Sequence, residues 1–105
     1  MSKRLEAIQK MLAAGNRDPF TRYAFALELK SLGRHDESMA AFEELRTADA
    51  TYVPQYLMAG GVAEALGKKD DALRWYDEGI VAAKQKGDSH ALSELTQARD
   101  LLASK

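Results

Sequence analysis

The chain is 105 residues long, with 15 Lys and Arg against 16 Asp and Glu, two His and no Cys. That length fits one domain, and the absence of Cys excludes a disulfide scaffold and a thiolate metal site. A net charge of -1 argues against general nucleic-acid binding, whose affinity comes mostly from neutralising phosphates. Eighteen Ala and thirteen Leu stand against only nine Val, Ile and Thr together, so an all-α fold is expected. With Ala filling much of the interior, the helices must approach one another closely.

The first helix is expected at residues 2–14, with Leu5, Ile8, Met11 and Leu12 on one side. This stretch lacks the continuous apolar core of a secretory signal, and no window of the chain approaches eighteen apolar residues. Lys3, Arg4 and Lys10 would suit an organellar presequence, but Glu6 opposes it, so the segment reads as an ordinary surface helix. A soluble, cytoplasmic protein without membrane contact follows as an expectation. Further helices are expected at 19–32, 36–48, 52–66, 70–86 and 89–103. Asp18-Pro19 and Thr51-Tyr52-Val53-Pro54 look like helix starts, each with a capping oxygen and a proline inside the first turn. Gly15, Gly33, Gly67 and Gly87 each follow a periodic stretch, where a left-handed residue ends a helix at least cost. The last helix places Ala91, Leu92, Leu95, Ala98 and Leu102 on one face and Ser93, Glu94, Gln97 and Asp100 on the other, the pattern of a cap. Short connections make neighbouring helices antiparallel.

Gly33 and Gly67 lie 34 residues apart, and the same offset pairs Ala26 with Gly60, Leu32 with Leu66, Asp36 with Asp70, Ser38 with Ala72 and Phe42 with Tyr76. A helix-turn-helix unit of this period resembles the tetratricopeptide repeat family, in its small two-repeat bacterial form. The resemblance implies an antiparallel helix-hairpin solenoid, a superhelix of six helices in a single domain spanning 1–105. Its parts would be an N-terminal helix in 1–18, repeat one at 19–52, repeat two at 53–86 and a C-terminal capping helix in 87–105. In the family, Ala26 and Gly60 would occupy the slot where two helices of a hairpin cross, Ser38 and Ala72 its partner slot, and Phe42 and Tyr76 the aromatic wedge. The large residue usual early in the first helix is Arg22 in one repeat and Tyr56 in the other, and Ala50 and Lys84 replace the closing proline. Two repeats are fewer than the three usually needed for independent stability, so the end helices or a second copy of the chain must supply burial.

No residues point to catalysis. His35 and His90 have neither metal spacing nor a Cys partner, and both are expected to face solvent. Gly60-Gly61 lies within a helix, not in a phosphate-binding loop. No enzyme activity, metal or cofactor is expected. Helix 19–32, by contrast, carries two apolar stripes: Phe20, Tyr23 and Leu27 on one side, Phe25, Leu29 and Leu32 roughly opposite. Thr21 and Glu28 separate them on one flank, Arg22 and Lys30 on the other. By resemblance to the family, the first stripe faces a concave groove that binds peptide or helical segments of a protein partner. The matching positions of repeat two are Pro54, Leu57, Gly61 and Glu64, the last being the counterpart of Lys30. Phe20, Tyr23, Leu27, Lys30, Leu57, Gly61 and Glu64 are therefore the expected partner-binding residues. Tyr23 and Leu27 stand where a carboxylate clamp would need polar groups, and Gly61 leaves room for an inserted Leu or Phe. A scaffold module whose own terminal helix fills this groove is the alternative, and a homo-oligomer covering the same surface is a further expectation. Trp75, aligned with Ala41, is expected to pack beneath the C-terminal helix in preference to serving as a partner hot spot.

Overall fold

A computed structural model describes residues 2–105. Among these the chain forms six helices and no strand: α1 (Lys3–Ala13), α2 (Pro19–Ser31), α3 (His35–Ala48), α4 (Pro54–Ala65), α5 (Lys69–Lys86) and α6 (Ser89–Ala103). All six expected helices are present, with ends displaced by no more than two residues. Gly15, Gly33, Gly67 and Gly87 take φ values of 96°, 76°, 73° and 70°, the left-handed conformation that lets each helix stop without a Cβ clash.

Helix starts differ in how their orphan N–H groups are satisfied. Ser2 Oγ accepts from the Leu5 N–H at 3.1 Å, Asp18 Oδ1 from Phe20 at 3.0 Å with Pro19 behind it, and Asp88 Oδ1 from Ala91 at 3.0 Å. Helix α4 begins with Val53 in the cap position and no side-chain cap, and the Tyr52 and Val53 carbonyls accept from Gln55 and Tyr56 instead. Proline at the first helical position already removes one orphan donor, so the start tolerates an apolar cap. Helices α3 and α5 also lack a side-chain cap, and carry Asp36-Glu37 and Asp70-Asp71 in their first turns. Arg34 grips Glu37 through two contacts of 2.8 and 2.7 Å, and this hydrogen-bonded pairing lowers the Glu37 carboxyl below its ordinary value.

The chain divides after Asp49 into two compact units of three helices each. In the first, α1 and α3 both pack on α2. Leu5 and Ile8 are the buried residues of α1, while Met11, expected on the same inner face, is 45% exposed near the helix end. Ala26, Leu29, Ala41, Phe42 and Leu45 make the core between α2 and α3. There the buried Ser38 hydroxyl donates to the Ala26 carbonyl at 2.7 Å, which ties the two helices together at their crossing. In the second unit, α4 and α6 both pack on α5, and α6 also meets α4. Leu95 and Leu102 anchor α6, with Ala91, Leu92 and Ala98 half-buried and Ser93, Glu94, Gln97 and Asp100 exposed. Arg99 reaches Asp77 of α5 at 2.5 Å.

Candidate protein-interaction surface

At 100° per residue, Phe20, Tyr23, Leu27 and Lys30 of α2 fall within an arc of about 80°. Phe20 is 63% exposed, whereas Tyr23, Leu27 and Lys30 are half-buried. Tyr23 is fixed from below: its ring meets the edge of the buried Phe42 ring of α3, with centroids 6.3 Å apart and planes at 61°. The result on the first unit is a shallow apolar face, open at Phe20 and bounded one turn beyond Leu27 by an ammonium group.

One flank of α2 is covered by α1. Thr21 and Glu28, which separate the two stripes, are covered. Thr21 is buried, and the Glu28 side chain is only 11% exposed. The Ser2 hydroxyl donates to Glu28 Oε2 at 3.1 Å, and Arg4 lies 3.8 Å from Oε1. Helix α1 therefore seats on the Thr21, Phe25 and Glu28 side, and the Glu28 carboxylate is held by two N-terminal groups. Leu32, assigned to this apolar stripe, lies past the helix end and is 43% exposed. On the other flank Arg22 approaches Glu44 at 3.8 Å beside a hollow of about 550 Å³ lined by Ala40, Glu43, Glu44, Thr47 and Ala48.

On the second unit, Leu57, Gly61 and Glu64 share one face of α4. All three are half-buried. A Cβ built on Gly61 would meet nothing within 4 Å, so this face is open at its middle. Glu64 is already engaged, because its Oε2 accepts from the Tyr76 hydroxyl of α5. Burial first, and then this bond and the Glu64 charge, push the Tyr76 phenol well above its ordinary value. Trp75 is 4% exposed and tilts against the Tyr56 ring of α4, with centroids 5.9 Å apart. Its aromatic partner is thus α4, and its burial suits packing. His90 is exposed beside Glu94 at 3.2 Å, while His35, expected in solvent, is half-buried at the start of α3. Among the described residues, no three His, Cys, Asp or Glu converge as a metal site. Also among the described residues, no helix is long and apolar enough to cross a membrane.

No protein-family model and no curated protein sequence matches the chain. Solved structures do. A tetratricopeptide repeat domain protein from Salinibacter ruber, known from a solution and a crystal structure, is 40% identical with a TM-score of 0.78. The match covers 82% of this chain and 87% and 97% of those two. The chain belongs to the tetratricopeptide repeat family. A protein from Bordetella parapertussis, 22% identical, shares the fold over 99% of this chain and 90% of its own, with a TM-score of 0.86. The architecture is that of a protein–protein interaction module in general, in which helix pairs present binding surfaces.

The family's crossing slots can now be read in both repeats. In repeat one, Ala26 and Ser38 meet with no exposure, and Phe42 fills the space beside them. In repeat two, a Cβ on Gly60 would lie 2.1 Å from Tyr76 Cε1, so the larger phenol occupies the volume that Ala26 keeps for itself. Gly79 is a second close crossing that the sequence reading missed. A Cβ there would lie 2.5 Å from Tyr56 Cβ and 2.9 Å from Leu95 Cδ2, which makes Gly79 the point where α4, α5 and α6 converge. The signal was present, since a glycine in mid-helix costs about 1 kcal/mol relative to Ala and needs a packing reason.

Proposed function

We propose that this tetratricopeptide repeat protein is a noncatalytic interaction module that binds a peptide or helical segment of a partner protein. The binding residues are Phe20, Tyr23, Leu27 and Lys30 on α2, and Leu57, Gly61 and Glu64 on α4. The observation that carries the reading is the exposed Phe20 ring beside half-buried Tyr23 and Leu27 on one helix face. Covering a side chain of this size on binding contributes roughly 1.5–3 kcal/mol, enough to make it an anchor. Exposure of Phe20 and the open space over Gly61 favour a surface available to a partner over one filled by the chain's own terminal helix. The reading assigns no metal, cofactor, nucleic acid or membrane ligand.

Affinity capture with wild-type, Phe20→Ser and Leu57→Glu baits tests it. A partner retained by the wild type and lost from both variants, with helical circular dichroism intact, supports the assignment. Phe20 is a cleaner probe than Tyr23, whose ring also supports Phe42. Retention of every partner by both variants places binding elsewhere. A second copy of the chain is another occupant of the same face. A mass that rises with concentration in light scattering, and falls to monomer in Phe20→Ser, supports self-association; a constant monomer mass removes it.

A further inference from the structure

The charges around the α2 face say what kind of segment would dock there, given the docking role proposed above. Helix α2 holds three charged residues, Arg22, Glu28 and Lys30. Glu28 lies on the flank covered by α1 and is held by Ser2 and Arg4. Arg22 lies off the face and close to Glu44. Lys30 alone shares the arc of Phe20, Tyr23 and Leu27, and among the described residues it forms no ion pair. Its counterpart in the second repeat, Glu64, already accepts the Tyr76 hydroxyl. On the α2 face itself, the charge left for a ligand is therefore positive.

We infer that the partner segment is acidic and amphipathic, with apolar side chains over Phe20 and Leu27 and an Asp or Glu carboxylate at Lys30. The helix rise sets the spacing. Phe20 and Leu27 are separated by about 10 Å along α2, and Lys30 lies about 5 Å further. An extended ligand, at about 3.3 Å per residue, would place its carboxylate one or two residues past the second apolar anchor. A helical ligand would place it about three residues past. The half-buried position of Lys30 strengthens such a pair relative to one in bulk water, while salt still weakens it.

Selection from a displayed library of random 12-residue peptides, run against the full wild-type chain, Lys30→Glu and Phe20→Ser, tests the inference. The wild type is expected to enrich peptides with two or more apolar residues and at least threefold more Asp and Glu than Lys and Arg. Lys30→Glu should invert that charge ratio while keeping the apolar anchors. Apolar peptides with no charge bias, lost from Phe20→Ser, would overturn the acidic assignment and leave the docking face standing. Enriched peptides without apolar anchors, or a Phe20→Ser variant that selects the same sequences as wild type, would overturn both. An individual peptide from the wild-type pool should bind at least fivefold more weakly to Lys30→Glu by fluorescence anisotropy, with the difference shrinking as salt is added.

Discussion

Two adjacent glycines of α4 make opposite predictions for the same substitution. In Gly60→Ala, the new Cβ would sit 2.1 Å from Tyr76 Cε1, 2.6 Å from Cζ and 2.7 Å from Cδ1. Restoring ordinary carbon contact requires the ring to retreat by about 1.5 Å, and the buried ring has no free side to move into. Overpacking of this kind costs about 1–3 kcal/mol, and disturbing the Tyr76–Glu64 hydrogen bond adds roughly 0.5–1.5 kcal/mol. Against this, Ala gains about 1 kcal/mol of helix propensity over Gly. The balance is a loss of about 1–3 kcal/mol, equivalent to a Tm lower by roughly 5–15 °C for a domain of this size. Gly61→Ala meets nothing within 4 Å and keeps only the propensity gain, so its Tm should rise by about 2–6 °C. Thermal unfolding followed by circular dichroism, with urea titration for the free energies, measures both. A Gly60→Ala protein that melts at or above wild type would refute the close crossing of α4 and α5, and a destabilised Gly61→Ala would refute the open face of α4.

Gly79→Ala should cost more than Gly60→Ala, because one contact is Tyr56 Cβ, which cannot swing aside as a ring can; equal or smaller loss in urea titration would count against the three-helix convergence. Ser38→Ala should lose about 0.5–1.5 kcal/mol with the buried bond to the Ala26 carbonyl, read by the same titration. The Tyr76 phenol, raised by burial and by Glu64, keeps its proton in the folded state above the pH, about 10, at which the unfolded chain begins to release it. Unfolding therefore releases a proton there, and stability falls as pH rises past 10; Tyr76→Phe should show a shallower alkaline decline. Glu37 is lowered by Arg34, so Arg34→Ala should move the Glu37 titration, followed by carboxyl NMR, back up to the ordinary carboxylate range. Phe20→Ser should leave the Tm almost unchanged, since the ring is 63% exposed, even as it abolishes partner capture.

Helix positions were legible because Gly, Pro and Asp carry local, position-specific information: Asp18-Pro19 opens α2 and Gly33 closes its turn through interactions within a few residues. The repeat was legible because a crossing requires a small residue at a fixed offset, whatever lies around it. The role of Glu28 was not legible. Helical periodicity places it on a flank, but what covers that flank depends on where α1 docks, and the partners that hold Glu28 lie more than twenty residues away in sequence. For the same reason, the burial of Thr21 on that flank could not be read from periodicity alone. That Phe20, Tyr23 and Leu27 share a face of α2, and Leu57, Gly61 and Glu64 a face of α4, follows from helical periodicity, whereas the capture of Glu64 by Tyr76 depends on the packing of α5 against α4.

The unequal glycine content of the two helix pairs bears on why one face of α4 remains open. Repeat one fills its α2–α3 crossing with Ala26, Phe42 and Leu45, whereas repeat two has Gly60, Tyr76 and Gly79 at the same offsets. Replacing Leu45 by Gly79 removes a large side chain from the crossing, and Leu95 of α6 comes within contact of the vacated position. Helix α6 is thus drawn onto the Gly79 side of α5, where it buries Leu95 and Leu102. Its apolar face is consumed there, and the Gly61 side of α4 is left uncovered by the helix that could otherwise have filled it. Adding bulk at Gly79 should loosen α6 before it disturbs α4 and α5, seen as earlier amide exchange at Leu95 and Leu102 than at Ala59 and Val62. Uniform loss of protection across α4, α5 and α6 would mean instead that Gly79 serves the α4–α5 pair and that the docking of α6 has another cause.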